Sequence, residues 1–209
     1  FDPDWVMQTI ATTPREFVLH GRGPDRQITM GGSSMAFAMV ASTPNVSDLD
    51  RGRISGNYED FCNLLRLGES LNSVQLQAGF PVEPCDVNVN IRHLVAAEAM
   101  ARLTTKPVGG YALGRQRMLD VIEIARISRG ISHAQLLEQP SIHTVVNANS
   151  PLIYDAALLE GAIVMAQHNQ PVIYTPFTLA GAMAPITIAG ALVQQNAECL
   201  AGLAFHQCV

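Results

Sequence analysis

Helix-like and strand-like patterns alternate regularly after residue 55, and this alternation constrains the fold more than any other feature. Five stretches carry apolar residues at helical spacing, at about 58–71, 88–104, 115–129, 155–169 and 187–207. Four short apolar runs lie between or after them, at 73–80, 106–112, 141–149 and 171–177. The runs recur roughly every 30 to 35 residues, which is the length of a βα unit. The alternation therefore predicts a parallel sheet with helical crossovers.

The number of units selects between two α/β architectures. About five βα units fit an incomplete TIM (β/α)8 barrel, since the complete fold takes about 250 residues. A doubly wound open sheet is the alternative. We assign residues 56–209 to the partial barrel and residues 1–55 to a small β-rich N-terminal segment, with a short hairpin around the Gly-Ser turn in 26–40. Both architectures place the functional site at the carboxyl ends of the strands.

Composition excludes several classes of function. The chain is 48% apolar and 15% charged, and its basic residues form no stripe with interleaved aromatics, so we expect no nucleic acid. We also expect no membrane span, because Gln194, Gln195, Asn196 and Glu198 interrupt the most apolar helix. The cysteines form no CxxC pair and the histidines no HExxH or HxH motif. We expect reduced thiols, a cytoplasmic protein and no tightly bound metal.

Several short motifs are better explained by structure than by chemistry. Ser132 with Gln135 forms a helix capping box rather than a serine nucleophile elbow. The segment 109–114, GGYALG, lacks the spacing of a phosphate loop and predicts close backbone packing. Asp155 is expected to cap a helix. Lys106, the one lysine, stands at the amino end of its strand, which leaves a Schiff-base aldolase without a nucleophile.

Amide and aromatic side chains dominate the predicted carboxyl ends of the strands, with a single carboxylate. Such a lining suits an alkylammonium ion, because aromatic faces and one negative group attract a weakly hydrogen-bonding cation. The alternative is that Glu83, which precedes Pro84 in an extended turn, pairs with a nearby arginine. We predict that the candidate residues surround one cavity: Glu83, Tyr111, Asn147, Asn149, Thr175 and Phe177.

The last third of the sequence resembles a known family. An NSPL segment, a QPV strand, a TPF-LAGA-AP loop and an LxxQNAE helix follow one another between residues 147 and 203. This order resembles the trimethylamine methyltransferase (MttB-like) family. The segments FPVEPCDV, RHLVAAEAM and GRGPDRQITMGG are similar to earlier parts of the same family. Because family members are roughly twice this long, the resemblance implies the amino-terminal half or so of a TIM-barrel enzyme.

The resemblance implies a reaction and a partner. Members of this family move a methyl group from a methylated amine to the Co(I) of a corrinoid (cobalamin) on a separate protein, chemistry linked to methanogenesis. The uncharged loop 175–187 would then be covered by the corrinoid or its carrier, with Thr178, Gly181 and Ala182 as cofactor-binding residues. A later barrel element could cover the loop instead. No residue is assigned as catalytic, because the protein contributes to this methyl transfer only through orientation, desolvation and docking.

The substrate and the assembly stay open at this stage. A quaternary amine such as glycine betaine leaves as a neutral amine without a proton, which suits a site with no evident general acid. We favour a quaternary or tertiary methylamine, and the region expected to hold a pyrrolysine lies beyond Val209. The alternatives are another TIM-barrel enzyme, such as a pterin-dependent methyltransferase or a lyase, and a non-catalytic truncated homologue. We expect the segment to belong to a longer chain or to form a homo-oligomer that covers its sheet edges, and to be inactive alone.

Overall fold

The computed structural model describes residues 2–209, and its longer helices occupy the stretches with helical periodicity. The helices are α1 (Pro3–Ile10), α2 (Tyr58–Ser70), α3 (Arg92–Leu103), α4 (Arg115–Arg129), α5 (His133–Glu138), α6 (Ala156–Gln167) and α7 (Ile188–Gln207). The strands are β1 (Glu16–His20), β2 (Gln27–Gly31), β3 (Asn45–Asp48), β4 (Gly52–Ser55), β5 (Val108–Gly110), β6 (Ile142–Asn149), β7 (Ile153–Tyr154) and β8 (Val172–Pro176). All five predicted helices are confirmed.

Polar side chains cap the beginnings of five helices and explain where those helices start, with Asp2 as the cap of α1. The side chains of Asn57, Asp155 and Thr187 accept backbone N–H groups at the starts of α2, α6 and α7. Ser132 and Gln135 form the predicted capping box at α5. Helix α3 begins four residues later than predicted, because residues 88–91 form a turn closed by a hydrogen bond from the Ile91 N–H to the Asn88 carbonyl.

Strand β6 is the centre of the main sheet. It pairs in parallel with β5, where Ile142 lies opposite Val108. On its other edge it pairs in parallel with β8, where Thr144 lies opposite Val172.

The strand predicted at about 74–79, within the run 73–80, lies beside β5 in the predicted parallel direction, but it is not a continuous strand. The segment forms single parallel bridges at Leu76 and Gln77 only. The buried residues that follow, Phe80 and Val82, pack into the core without strand pairing. Apolar alternation there reflects burial rather than continuous pairing.

The parallel segments follow one another in chain order. Ala38 bridges Leu76, Gln77 bridges β5, and β6 and β8 continue the series. Helices α2, α3, α4, α6 and α7 likewise pack each against the next, in a single row. A doubly wound sheet would reverse its strand order at a switch point, and no reversal occurs within residues 2–209. The sheet does not close within these residues, so a complete barrel stays a prediction.

The N-terminal segment holds two antiparallel hairpins rather than the predicted one. Strand β1 pairs with β2, and β3 pairs with β4. The expected pairing within residues 26–40 is wrong because Gly31 and Gly32 adopt positive φ angles of 98° and 58°, which turn the chain away after β2. The chain then reaches the main sheet at Ala38. Strand β4 ends at Ser55, and the domain boundary at that residue stays a prediction.

The core lies between the sheet and the row of helices. One buried cluster joins Ile142 and Val146 of β6 to Met118 of α4 and Met165 of α6. The alternate residues of β6, including Asn147 and Asn149, therefore belong to the opposite face of the sheet. Within residues 2–209, no helix has both the length and the apolar character needed to cross a bilayer.

Gly109 and Gly110 of the GGYALG segment are required by packing, as predicted. A Cβ atom at Gly109 would lie 2.3 Å from the Ala78 carbonyl oxygen and 2.9 Å from Nε2 of His143. At the amino end of β5, the buried Lys106 ammonium donates to the carbonyls of Gly68 and Leu71. Its position confirms a structural role at this end of the sheet.

His143 is a buried histidine whose charge state is set by its surroundings. The residue is 1% exposed. Burial lowers the pKa of His143 to about 4, although the carbonyls of Ala78 and Val108 oppose the shift. The imidazole is therefore neutral at pH 7, and protonation of the folded state is unfavourable.

Acidification is expected to destabilise the fold through His143. The unfolded chain binds the proton near pH 6.5 and the folded chain near pH 4, so this contribution is complete above pH 6.5 and is lost as the pH falls towards 4. The free energy of unfolding should fall by about 3 kcal/mol over that range. Urea denaturation of the complete protein between pH 7 and pH 4 measures this. His143→Asn should show a shallower pH dependence, and an equal slope in both proteins would contradict the assignment.

Candidate functional site

The parallel strands bring the candidate residues to one edge of the sheet. Tyr111 follows β5 directly, Asn147 and Asn149 end β6, and Thr175 lies at the end of β8. Because the register aligns Asn147 with Thr175, the ends of neighbouring strands stand side by side. The carboxyl edge of the sheet is where α/β folds bind their ligands.

A cleft opens at this edge beside the segments that follow Gln77 and β5. It has about 490 Å³ of space between atoms, part of it open to solvent. The rings of Phe80 and Tyr111 form its aromatic wall, with centroids 4.4 Å apart and planes inclined by 61°. The charged and imidazole groups that line the cleft are Glu83, Arg92, His93 and Arg117.

Glu83 provides the acidic group of this aromatic cleft. Its carboxylate is a quarter exposed, and its nearest approach to the Arg92 guanidinium is 3.9 Å. That distance exceeds a hydrogen bond, and Arg92 instead donates to the carbonyls of Val87 and Cys85. Burial raises the pKa of Glu83, while Arg92 and the Tyr111 hydroxyl oppose this. The expected alternative, a pairing of Glu83 with an arginine, is present only as a loose contact.

Tyr111 offers the cleft a neutral ring. Its hydroxyl forms a hydrogen bond with the Ser42 hydroxyl, which joins the segment after Ala38 to the end of β5. Burial raises the pKa of Tyr111 to about 12, so the phenol is uncharged at neutral pH. An uncharged aromatic ring that a hydrogen bond keeps in place is suited to contact with a cation.

His93 and Asp120 form a contact that the sequence does not reveal, since 27 positions separate them. Nε2 of His93 lies 3.0 Å from Oδ2 of Asp120. The hydrogen bond from His93 lowers the pKa of Asp120. This pair links α3 to α4, the two helices that contribute Arg92 and Arg117 to the cleft. A contact between two helices at that separation becomes visible only once the helices are packed together.

The other four candidate residues do not line the cleft. The Thr175 hydroxyl donates to Oδ1 of Asn147, and both side chains are exposed. Asn149 lies opposite Ile153 in the small β6–β7 hairpin. The ring of Phe177 is 55% exposed. The candidates thus form two groups, one in the aromatic cleft and one at the ends of β6 and β8. That all six surround one cavity of the complete protein stays a prediction.

The uncharged loop between β8 and α7 is open to solvent. Leu179, Ile186 and Ile188 are 48%, 81% and 79% exposed. The loop is closed by a hydrogen bond from the Gly181 N–H to the Ala184 carbonyl at 2.9 Å, with Gly181 at a φ of 82°. Gly181 and Ala182, two of the predicted cofactor-binding residues, are exposed at its tip. Nothing within residues 2–209 covers this apolar surface.

Glu198 fixes the loops around the ends of β6 and β8. The residue lies in α7 and is 1% exposed. Its carboxylate accepts hydrogen bonds from the Ser150 hydroxyl at 2.7 Å and the Leu152 N–H at 2.8 Å. Gln194 donates to it at 3.0 Å, and the Thr178 hydroxyl reaches it at 3.5 Å. Thr178, the third predicted cofactor-binding residue, is therefore held by Glu198.

The hydrogen bonds keep Glu198 ionised despite its burial. Burial disfavours the charged carboxylate, but the donors around it outweigh that cost and lower the pKa of Glu198. Glu198 needs no positively charged partner, because neutral donors satisfy both of its carboxylate oxygens. One buried carboxylate thus joins α7, the β6–β7 turn and the β8–α7 loop.

The described residues contain no metal-binding constellation. No group of three or more histidine, cysteine, aspartate or glutamate side chains in residues 2–209 is placed to hold a metal ion. The four cysteines are free thiols in this part of the chain. The site therefore consists of aromatic, amide, hydroxyl and singly placed charged groups.

Comparison with known proteins places these features in a family. The family model of trimethylamine methyltransferase (MTTB) matches residues 1–209. A glycine betaine methyltransferase of Desulfitobacterium hafniense (strain Y51) is 31% identical over 206 residues, which cover 99% of this chain and 43% of that protein. The trimethylamine methyltransferase MttB of Desulfitobacterium hafniense (strain DSM 10664 / DCB-2) is 26% identical over 203 residues, 97% of this chain and 40% of that protein. The chain thus spans less than half the length of both relatives.

Removal of the Glu198 charge is expected to loosen both loops. Glu198→Gln keeps one acceptor oxygen for the Leu152 N–H but puts an NH2 group, which cannot accept, opposite the Ser150 and Thr178 hydroxyls. It should cost about 1–3 kcal/mol of the free energy of unfolding. The contribution is present above the pKa of an unfolded glutamate, about 4.3, and is lost as the pH falls through the lower folded pKa. Urea denaturation of the complete protein at pH 7 measures the cost.

The exposed Glu160 of α6 supplies the matched control. Glu160→Gln removes the same charge from the surface and should change the free energy of unfolding by less than about 0.5 kcal/mol. Equal effects of the two substitutions would show that the Glu198 hydrogen bonds do not hold the loops.

Proposed function

The chain belongs to the trimethylamine methyltransferase family, and we propose that the complete protein transfers a methyl group from a methylated amine to the reduced corrinoid of a partner protein. The family match over residues 1–209 carries this proposal. The two relatives are named for glycine betaine and for trimethylamine, so the substrate class is a quaternary or tertiary methylamine. The proposal concerns the complete protein, because the chain covers 43% and 40% of those relatives.

The aromatic cleft supplies the groups that a methylated ammonium requires. Such an ion presents methyl groups with diffuse positive charge and donates few hydrogen bonds, so aromatic faces bind it well. Phe80 and Tyr111 provide two adjacent rings, and Glu83 provides a partly buried carboxylate beside them. We assign these three residues to binding and orientation of the ammonium. Contact with this aromatic wall also removes water from the methylated ammonium.

The chemistry asks for no proton donor when the substrate is quaternary. The carbon–nitrogen bond breaks as the methyl group is transferred, and its electron pair stays on nitrogen, which leaves as a neutral amine. When bound, the corrinoid supplies the nucleophile for this displacement. The phenol of Tyr111 in the aromatic cleft is neutral, and the leaving nitrogen of a quaternary substrate needs no proton from it.

The uncharged loop after β8 suits the corrinoid partner. Its exposed apolar residues, including Leu179 and Ile186, would lose water against a flat macrocycle or the protein that carries it. Gly181 and Ala182 present little side chain at the tip, which allows close approach. Glu198 holds this loop through Thr178. We therefore assign Thr178, Gly181 and Ala182 to the corrinoid-facing side.

Loss of the Tyr111 ring is expected to weaken use of the amine. In the complete protein, Tyr111→Leu should lower kcat/KM for the methylated amine by roughly tenfold, the magnitude of a partly desolvated cation–π contact. The assay follows conversion of Co(I) cobalamin, or of the reduced corrinoid protein, by its absorbance with a panel of methylated amines. Absence of transfer from every quaternary and tertiary methylamine would refute the proposed function.

Tyr111→Phe provides the matched comparison. It keeps the ring and loses the hydroxyl, with its hydrogen bond to Ser42 and its contact with the Glu83 carboxylate, so its kcat/KM should fall less than that of Tyr111→Leu. A melting curve for each variant separates loss of folding from loss of binding. Equal losses of activity in the two variants would remove the ring from the amine site.

A further inference from the structure

A second cavity lies at the opposite, amino end of the sheet. The residues that precede β5 and β6 meet the loop after β1 there, and α3 and α4 form the apolar walls. The cavity volume is about 30 Å³, room for about two water molecules, and its mouth opens to solvent. We call it the amino-end cavity. Its size admits a compact ion and excludes a sugar or a nucleoside.

Three positively charged side chains line the amino-end cavity, and no carboxylate does. They are Arg22, Lys106 and Arg129. Lys106 is buried, Arg129 is half-buried, and Arg22 is exposed, which places it at the mouth. Charged side chains inside proteins normally pair with an opposite charge. The lining therefore has an excess of positive charge that its own residues do not neutralise.

Lys106 is the most buried of the three cations. Its ammonium donates to the carbonyls of Gly68 and Leu71, so one of its three N–H groups has no acceptor within residues 2–209. Burial lowers the pKa of Lys106, and the Glu69 carboxylate opposes this only in part. Glu69 does not line the cavity and already accepts from Arg26 and from two threonine hydroxyls.

The two arginines also lack a carboxylate partner in the described part of the chain. Arg129 donates to the Ser141 hydroxyl and to the carbonyl and side-chain oxygens of Gln139. Burial lowers the pKa of the Arg129 guanidinium. Arg22 reaches only the Thr104 carbonyl, at 3.5 Å. Because a guanidinium has five N–H donors, most of those on Arg22 remain available to a ligand.

His20 adds an unpartnered nitrogen to the same lining. Its Nδ1 is buried and has no hydrogen-bond partner among residues 2–209. Burial lowers the pKa of His20, and the charge of Arg129 lowers it further, so the imidazole is neutral at pH 7. A neutral imidazole with a proton on Nδ1 is a hydrogen-bond donor. Donors without acceptors around a cationic cavity suit a ligand that is itself an acceptor.

We propose that the amino-end cavity binds a compact, doubly charged oxyanion, the phosphate group of inorganic phosphate or of a small phosphate ester. Arg22 and Arg129 bind its oxygens through their guanidinium forks, and Lys106 adds a point charge. A dianion neutralises more of the positive charge than a carboxylate or chloride does. The rest of an ester stays at the mouth, beside Arg22. The site is separate from methyl transfer, because it lies at the end of the sheet where barrels carry stability.

Isothermal titration calorimetry of the complete protein with inorganic phosphate tests this site. In chloride buffer of constant ionic strength, we expect one phosphate per chain with a Kd of about 1 mM or tighter. Acetate, with a single charge, should bind roughly tenfold more weakly. Absence of phosphate binding, or equal binding of phosphate and acetate, would overturn the proposal. Glycerol phosphate distinguishes the sources: tighter binding than inorganic phosphate indicates an ester, and weaker binding indicates the free ion.

Substitution of Arg22 tests the residue without disturbing the fold, because its side chain is exposed and its one contact is long. Arg22→Gln should weaken phosphate binding roughly tenfold, and Arg22→Lys should restore part of the affinity. Arg53→Gln is the matched control: it removes the same charge from an exposed arginine outside the cavity lining and should leave the Kd unchanged. Equal losses in Arg22→Gln and Arg53→Gln would reduce phosphate binding to general surface attraction and overturn the proposal.

The melting temperature gives a second readout. Phosphate should raise it in the unsubstituted protein, because a ligand of the folded state stabilises that state, and the rise should be absent in Arg129→Gln. A crystal structure of the complete protein with a carboxylate from a later part of the chain inside the cavity would overturn the proposal. None of these measurements uses methyl transfer, so failure of the phosphate site and failure of the proposed function are distinguishable.

Discussion

The buried carboxylate of Glu198 is the interaction on which the carboxyl edge of the sheet depends. Glu198 is the one Asp, Glu, Lys or Arg residue of α7, and its donors come from the β6–β7 turn, the β8–α7 loop and α7 itself. A buried charge is costly unless its hydrogen bonds are complete, so these segments must adopt one arrangement for Glu198 to remain ionised. The ends of β6 and β8, with Asn147 and Thr175, are fixed as a consequence.

The carboxyl edge divides into two parts with different chemistry. Around β5 lies the aromatic cleft of Phe80 and Tyr111, with Glu83 and Arg117 as its opposite charges. Around β8 lies the exposed, uncharged loop whose partners are absent from residues 2–209. This division suits a transfer between two ligands of unlike size, a small amine and a large flat macrocycle. The central claim is that the methylated ammonium occupies the aromatic cleft rather than the polar group at β6 and β8.

Local signals were sufficient to predict the helices, and they were insufficient for most of the site. Apolar periodicity with caps such as Asn57 and Asp155 places α2 and α6 correctly, because capping is a contact between near neighbours in the chain. The predicted strand at about 74–79 is reduced to single bridges, since pairing depends on how neighbouring segments approach. Glu83 and Tyr111 were predicted from their places after the runs at 73–80 and 106–112, and both line the aromatic cleft. Contacts such as His93 with Asp120 depend on packing between helices and had no local signal.

The role of Glu198 could have been suspected from the sequence. A carboxylate one helical turn after Gln194, in a helix that is apolar on both sides of this polar stretch, indicates a polar contact on one face of the helix. Its donors, Ser150 and Leu152, are more than forty positions away in the chain, at separations of 48 and 46 residues, and only the folded sheet brings them near.

The most direct test of the ammonium site is an anomalous diffraction experiment with arsenobetaine, in which arsenic replaces the quaternary nitrogen of glycine betaine. A crystal of the complete protein soaked with this compound should show its strongest arsenic peak within about 6 Å of the ring centroids of Phe80 and Tyr111, the range of a cation–π contact. A peak beside Asn147 and Thr175, with no arsenic in the aromatic cleft, would contradict the assignment.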